Sequence, residues 1–281
     1  MQSVLSIAGS DPTGGAGFQA DCQVAAALGV HAAAVPTALT IQDGLRVKRV
    51  LPVFPTLVLE QLRATLEALR PDAIKIGMLA SDDVVRNVLL ALAPWPAIPV
   101  VIDPVLAASD GTLLLERRAY GALRDLFHGR TLLTPNWPEA EILLETTLPR
   151  RADGEAAARE LLVRHDLEAV LLKGGHLEGD ASDLLVRRVD RGGPSSGAAG
   201  GTSGADGERK RGEIVAEWLP GERIPGPAVH GTGCALSAAI AAHLARGETV
   251  KGAVVASRRY VREAIRRAHA LPNGARLLAF R

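Results

Sequence analysis

Four consecutive residues late in the chain, Gly231-Thr232-Gly233-Cys234, have the types and order of an anion-binding turn. They follow a loop with Pro225 and Pro227 and precede residues 235–246, an alanine-rich stretch of strong helix propensity. Backbone N–H groups at such a helix entrance converge, and the helix dipole adds positive potential, which suits a phosphate or a developing oxyanion. A plain glycine turn with Cys234 as a packing residue is the alternative. A thiol at a helix start is also expected to ionise more readily than a free cysteine, because that end stabilises the thiolate. A second glycine-rich stretch, Gly9-Ser10-Asp11-Pro12-Thr13-Gly14-Gly15-Ala16-Gly17, follows an apolar run and opens a helix, the place where an α/β sheet puts ligands. Residues 15–20 fit the relaxed dinucleotide fingerprint, but 31–40 contains no Asp or Glu to hold a ribose. A P-loop is absent, since the chain has no Gly-Lys-Ser or Gly-Lys-Thr.

Other polar residues fall at the same kind of place. Asp21 and Gln42 stand near the C-terminal ends of early elements, where they can hydrogen-bond a heteroaromatic ring or simply be solvated. Asn136 and Glu139 read as a capping box with Pro138 in the first turn, and the same geometry can place the Glu139 carboxylate on a hydrated Mg2+. Lys173-Gly174-Gly175-His176 ends a further strand with a cation and flexible glycines suited to nucleotide phosphates. Lys173 as a surface cap is the competing use. Asp103, before Pro104, adds a carboxylate that can help hold the metal. Together these residues give the strand ends an anion hole, a cation and carboxylates. That favours phosphoryl transfer, a chemistry that rests on positioning and charge neutralisation.

The elements that must carry these residues alternate in type. Short continuous runs of Val, Ile and Leu at 4–8, 31–35, 73–76, 100–102, 131–134 and 170–173 read as strands covered on both faces. Helical stretches lie at 17–28, 82–92, 117–127, 138–144 and 155–165, giving a doubly wound α/β order. Residues 184–189 and 214–219 read as the arms of a hairpin. Between them, 192–207 holds seven glycines in sixteen residues and is followed by the charged run 208–211, so a disordered insertion is expected at 191–212 of one domain spanning 1–281.

Composition narrows the function. A chain of 281 residues with 47% apolar and 22% charged residues can enclose a full core. Lys and Arg number 32 against 31 Asp and Glu, and aromatics are only 3%, so neither phosphate-backbone reading nor base stacking is expected and no nucleic-acid partner is foreseen. Two cysteines, Cys22 and Cys234, make neither a disulfide framework nor a zinc site. No apolar run approaches the roughly 18 residues of a membrane span. A cytoplasmic protein with no membrane partner is expected.

The motifs, taken in order, resemble the hydroxymethylpyrimidine/phosphomethylpyrimidine kinases of thiamine biosynthesis, within the ribokinase-like superfamily. The similarity runs through Ala8-Gly9-Ser10-Asp11, Gly14-Gly15-Ala16-Gly17, Gln19-Ala20-Asp21, Thr37-Ala38-Leu39-Thr40 with Gln42, and Lys75-Ile76-Gly77-Met78-Leu79. It continues through Asp103-Pro104-Val105, Thr134-Pro135-Asn136, Pro138-Glu139-Ala140, Lys173-Gly174-Gly175-His176 and His230-Gly231-Thr232-Gly233-Cys234. The resemblance implies a ribokinase-like three-layer α/β fold, its mostly parallel sheet flanked by helices, with ATP and Mg2+ at the strand ends and a homodimer as the assembly. It implies two phosphorylations, of the hydroxymethyl group of 4-amino-5-hydroxymethyl-2-methylpyrimidine and then of the monophosphate. Carried over by motif, Asp21 and Gln42 would contact the pyrimidine, with Gly9, Ala16 and Met78 lining its pocket. Residues Gly231, Thr232, Gly233 and Cys234 would be catalytic, with Cys234 where many sugar and vitamin kinases have an Asp base. Asn136, Lys173, Gly175 and His176 would serve ATP, and Asp103 and Glu139 the metal. Ser109, where relatives commonly carry Lys, Asp43 in place of a usual Asn, and the glycine-rich insertion depart from the pattern. The rival readings are a pyridoxine or pyridoxal kinase and a non-catalytic pyrimidine sensor.

Overall fold

Runs of aliphatic residues with no polar face must be covered on both sides, and here they form the middle of one sheet. The structure, a computed structural model, describes residues 1–176, 179–189 and 212–280. Its elements begin with β1 (Ser3–Ala8), α1 (Gly17–Ala27), β2 (His31–Pro36), β3 (Ala38–Gln42), β4 (Val47–Pro52), α2 (Pro55–Leu69), β5 (Ala73–Ile76), α3 (Asp82–Leu92) and β6 (Val100–Ile102). They continue with α4 (Tyr120–Phe127), β7 (Leu132–Leu133), α5 (Trp137–Leu144), α6 (Asp153–Arg164), β8 (Ala169–Leu172), β9 (Asp183–Val189), β10 (Glu213–Leu219), α7 (Thr232–Ala245), α8 (Val250–Arg266), β11 (His269–Ala270) and β12 (Arg276–Leu277).

The eight-stranded sheet runs β10-β9-β8-β7-β6-β5-β1-β2. β2 through β8 in that order are parallel, while β9 and β10 are antiparallel and form the expected hairpin edge. Alternate side chains of each strand enter different cores. Leu5, Ile7, Ile74, Ile76, Val100 and Ile102 pack with the residues of α2 to α6, while Val4, Ala73, Val101 and Leu132 pack with those of α1, α7 and α8. α7 is buried almost all round, and its alanines allow close contact with the sheet and with both neighbouring helices. The result is a three-layer α/β fold, with helices on both faces of one mostly parallel sheet, as the resemblance implies.

Several expected boundaries change. The strand at 131–134 is only Leu132–Leu133, because Thr134 and Pro135 already leave the ladder to build the turn before α5. Helix 117–127 is a 3-10 turn, Arg117–Ala119, leading into α4. α2 and the separate two-stranded ribbon β3–β4 were not foreseen, since Leu39, Ile41 and Leu51 face outwards there and blur the pattern. The expected disordered insertion at 191–212 lies outside the described residues apart from Gly212.

Candidate active site

The two glycine-rich loops meet backbone to backbone. Gly231, the N-cap of α7, has φ of 82°, and a Cβ there would overlap the carbonyl oxygen of Gly15. Only glycine combines that left-handed conformation with that approach. Asp11, almost fully buried, holds the N-terminal loop: it accepts the Thr13 and Ala16 N–H groups at 2.9 and 2.8 Å and the Thr13 hydroxyl at 2.8 Å. Its Oδ2 also lies 2.9 Å from Nε2 of His230, the residue before the α7 entrance. Burial works against the Asp11 carboxylate, but His230 and Thr13 outweigh it and hold the group below the usual range.

Cys234 sits in the first turn of α7. The expected ease of ionisation is overturned. Burial pushes the thiol up to about 11, and the nearby Asp103 and Asp21 carboxylates act in the same direction against Lys75. Cys234 is therefore neutral at pH 7 and is no ready proton acceptor.

Asp21 does not present a free carboxylate to a ligand. Its oxygens lie 3.0 and 2.8 Å from Nζ of Lys75, and the Ser6 hydroxyl donates to Oδ2 at 2.5 Å. Both partners are buried, and Lys75 is wholly so. Burial raises the Asp21 pKa and opposes the Lys75 ammonium, but the carboxylates, Asp21 first and then Asp103, act against burial at Lys75, whose pKa is raised.

The remaining charged residues converge as their spacing suggests. Lys173 follows β8, its N–H bound to the Pro135 carbonyl at 2.8 Å, and its Nζ reaches Asp103 Oδ1 at 2.6 Å and Glu139 Oε2 at 3.9 Å. The Asn136–Glu139 capping box is present in both directions, at 2.8 and 2.7 Å. Thr134 Oγ1 donates to Asp103 at 3.3 Å. Burial pushes Glu139 up to about 7 despite Lys173, while Asp103 and Glu139 outweigh burial at Lys173 and raise its pKa. The cluster joins the α7 entrance: a Cβ on Gly233 would sit 3.4 Å from Lys173 Nζ and 3.7 Å from Asp103 Oδ2.

Asp103 and Glu139 share one ammonium, so one negative charge is left over whenever Glu139 is ionised, and their hard oxygens suit Mg2+. No group of three or more His, Cys, Asp or Glu side chains placed to hold a metal occurs among the described residues. Two carboxylates still fit an ion that keeps most of its waters.

Of the other expected site residues, Gly9 and Met78 adjoin, since a Cβ on Gly9 would come 2.8 Å from the Met78 sulfur. Ala16 caps α1 and lies against Gly231. Thr232 opens α7 and is partly exposed. Gln42 ends β3 at an irregularity in the ribbon, and its side chain has no hydrogen-bond partner among the described residues. The ribbon itself reaches the loop through Thr40, whose hydroxyl donates to the Ser10 carbonyl at 2.7 Å. Gly175 and His176 lie in a 3-10 turn after Lys173, with Gly175 exposed. Spacing and residue type alone give Lys75, Asp11 and His230 no role. A lone Lys in the apolar strand Ala73-Ile74-Lys75-Ile76 was the available signal for the first.

The sequence profile of the phosphomethylpyrimidine kinases matches residues 11–193 and 210–278. The chain belongs to the phosphomethylpyrimidine kinase family. It is 37% identical over 276 residues to the thiamine biosynthesis bifunctional protein ThiED of Geobacter sulfurreducens, covering 97% of this chain and 51% of that protein. The kinase-family chain thus spans about half the length of that relative, and 32% of a multifunctional ThiED of Corynebacterium glutamicum. A hydroxymethylpyrimidine/phosphomethylpyrimidine kinase of Mycobacterium tuberculosis is 39% identical, covering 96% of this chain and 90% of that one. Among solved structures, phosphomethylpyrimidine kinase from Clostridium difficile superposes with TM-score 0.75 at 30% identity, covering 94% of this chain and all of that one. The ADP complex of Bacillus subtilis pyridoxal kinase gives TM-score 0.82 at 28% identity, covering all of this chain and 97% of that one.

Proposed function

We propose that this kinase transfers the γ-phosphoryl group of ATP to the hydroxymethyl oxygen of 4-amino-5-hydroxymethyl-2-methylpyrimidine, and then phosphorylates the monophosphate to the diphosphate. The observation that carries the reading is the meeting of Asp103, Lys173 and Glu139 with the Gly231–Cys234 turn, which puts cation, carboxylates and unpaired helix amides at one place. In each step a new O–P bond forms on the acceptor while the bond from the γ-phosphorus to the ADP oxygen breaks. The α7 amides and the Lys173 ammonium offset the charge on the phosphoryl oxygens in transit. Asp103 and Glu139 would hold Mg2+, which when bound neutralises phosphate charge. In the first step, with Cys234 protonated, the hydroxymethyl proton leaves late, to an oxygen of the transferred group; in the second step the attacking phosphate oxygen is already deprotonated and no proton needs to move. The thiol orients the acceptor and adds no charge that would repel a phosphate.

Gly9, Ala16, Met78 and Gln42 would border the pyrimidine, and Asn136, Gly175 and His176 the nucleotide. Asp21 acts only through Lys75. The continuity of one sheet from β2 to β10, on both sides of 190–211, supports a single kinase domain over 1–281. Exposed Leu39, Ile41, Leu51 and Phe54 on and beside the ribbon support a homodimer through that face. No helix among the described residues is long and apolar enough to cross a membrane.

The higher TM-score to a pyridoxal kinase keeps pyridoxine as the rival acceptor, whereas the 39% identical relative favours the pyrimidine. ATP consumption with the hydroxymethylpyrimidine and with pyridoxine in parallel, with mono- and diphosphate products separated, decides between them. Diphosphate from the pyrimidine is expected. Turnover of pyridoxine alone would refute the proposal.

A further inference from the structure

A fully buried ion pair is a poor way to fill a core. Removing an ammonium and a carboxylate from water costs more than their attraction usually returns, and two apolar side chains would occupy the same space. Lys75 and Asp21 nevertheless stand where β5, β1 and α1 face the entrance of α7. The pair is oriented. Asp21 is tied back to Ser6 on β1, while the Lys75 ammonium lies against Gly77, where a Cβ would come within 2.7 Å of Nζ. Gly77 precedes Met78, which packs on Gly9 in the pocket assigned to the acceptor. Lys75 lowers the Cys234 pKa while Asp103 and Asp21 raise it, so the ammonium acts at the same place as the thiol. An ammonium has three N–H groups, and both Asp21 oxygens lie within hydrogen-bond distance of this one.

We infer that Lys75 is a specificity-determining residue, whose buried ammonium favours the anionic phosphate monoester over the neutral alcohol in the acceptor site. The inference rests on the proposed two-step reaction and deepens it. The first acceptor is an uncharged hydroxymethyl group and gains little from a nearby positive charge. The second acceptor brings a charged phosphate to the same attacking position. There, a neutral Cys234 adds no repulsion and the positive end of the Lys75–Asp21 dipole attracts. Lys75 touches no reacting atom in this arrangement and acts through its field. Its effect falls on the ratio of the two half-reactions, a quantity that a purely structural ion pair would leave alone.

The test measures kcat/KM for each half-reaction separately, with the hydroxymethylpyrimidine and with its purified monophosphate as acceptors. It compares the wild type with the double variant D21N/K75M and with G77A. The double variant removes both charges together, so no uncompensated charge is left in the core. G77A keeps both charges and pushes the ammonium aside through the flexible end of its side chain. The ratio of second to first step is expected to fall at least tenfold in D21N/K75M, and by a smaller factor in G77A. Equal losses in both steps, or an unchanged ratio, overturn the inference and leave the proposed function standing. If D21N/K75M does not fold, G77A decides alone, and an unchanged ratio there is the refuting result. A wild type that turns over neither acceptor refutes the proposed function, and this inference with it.

Discussion

The closeness of the two glycine loops makes Gly231 the sharpest single test of the site. Replacing it with Ala has two separable effects. The first is the left-handed backbone at φ of 82°, which costs an alanine about 1 kcal/mol. The second is steric: the new Cβ meets the Gly15 carbonyl, so the loops must separate by on the order of 1 Å, a misplacement that costs catalysis about 100-fold. Gly247, at the other end of α7, supplies the control. It has φ of 80° and nothing within 4 Å of a built Cβ, so G247A carries the backbone cost without the clash. Thermal melts and steady-state kinetics on both variants are the assay. G247A should lower Tm by about 2 °C and leave kcat near wild type. G231A should lose about 100-fold in kcat and more in Tm than G247A. Equal behaviour of the two variants would show that the α7 entrance and the N-terminal loop need not be held together for turnover.

Other consequences follow from the charges. Lys173→Met removes the cation between Asp103 and Glu139, and should lower kcat by about 100-fold while the fold persists by circular dichroism; near-normal turnover would refute its role in charge neutralisation. In a Cys22→Ser background, alkylation of Cys234 followed by mass spectrometry should keep rising towards pH 11, whereas a plateau near pH 7 would refute the neutral thiol. His165 is buried against Phe127, and burial, with Arg164 and Arg124 adding to it, lowers its pKa from 6.5 to about 4. The folded value is the lower one, so this contribution to stability is present above pH 6.5 and is lost as pH falls to 4. His165→Leu should flatten that loss by up to about 3 kcal/mol in denaturant melts, and an unchanged pH profile would count against it. Phe54→Glu should shift the protein to monomer size in gel filtration if the ribbon face joins two copies, and an unchanged elution volume would exclude that face.

Much of the framework was readable because burial on both faces leaves a simple mark. The runs at 73–76 and 100–102 coincide with β5 and β6, and helix 82–92 with α3, whose Ser81 cap and acidic first turn are visible in the sequence. The Asn136–Glu139 box was legible for the same reason, because a cap is local and needs only residues three apart. What could not be read was long-range electrostatics. A thiol at a helix start suggests easy ionisation, yet at Cys234 burial and two carboxylates, Asp103 just after β6 and Asp21 on α1, reverse that local rule, and nothing near position 234 announces them. Asp21 shows the same limit. Its place in α1 offers a carboxylate to the strand ends, but Lys75, 54 positions away, takes both oxygens. The clamp between Asp11 and His230 spans 219 positions and joins two loops whose motifs were each noticed alone. Local motifs therefore identify which segments meet at the rim, and the fold alone decides which charges remain free once they have met. In this chain that second step pairs the Asp21 carboxylate with the buried Lys75 ammonium and pushes the Cys234 thiol up to about 11.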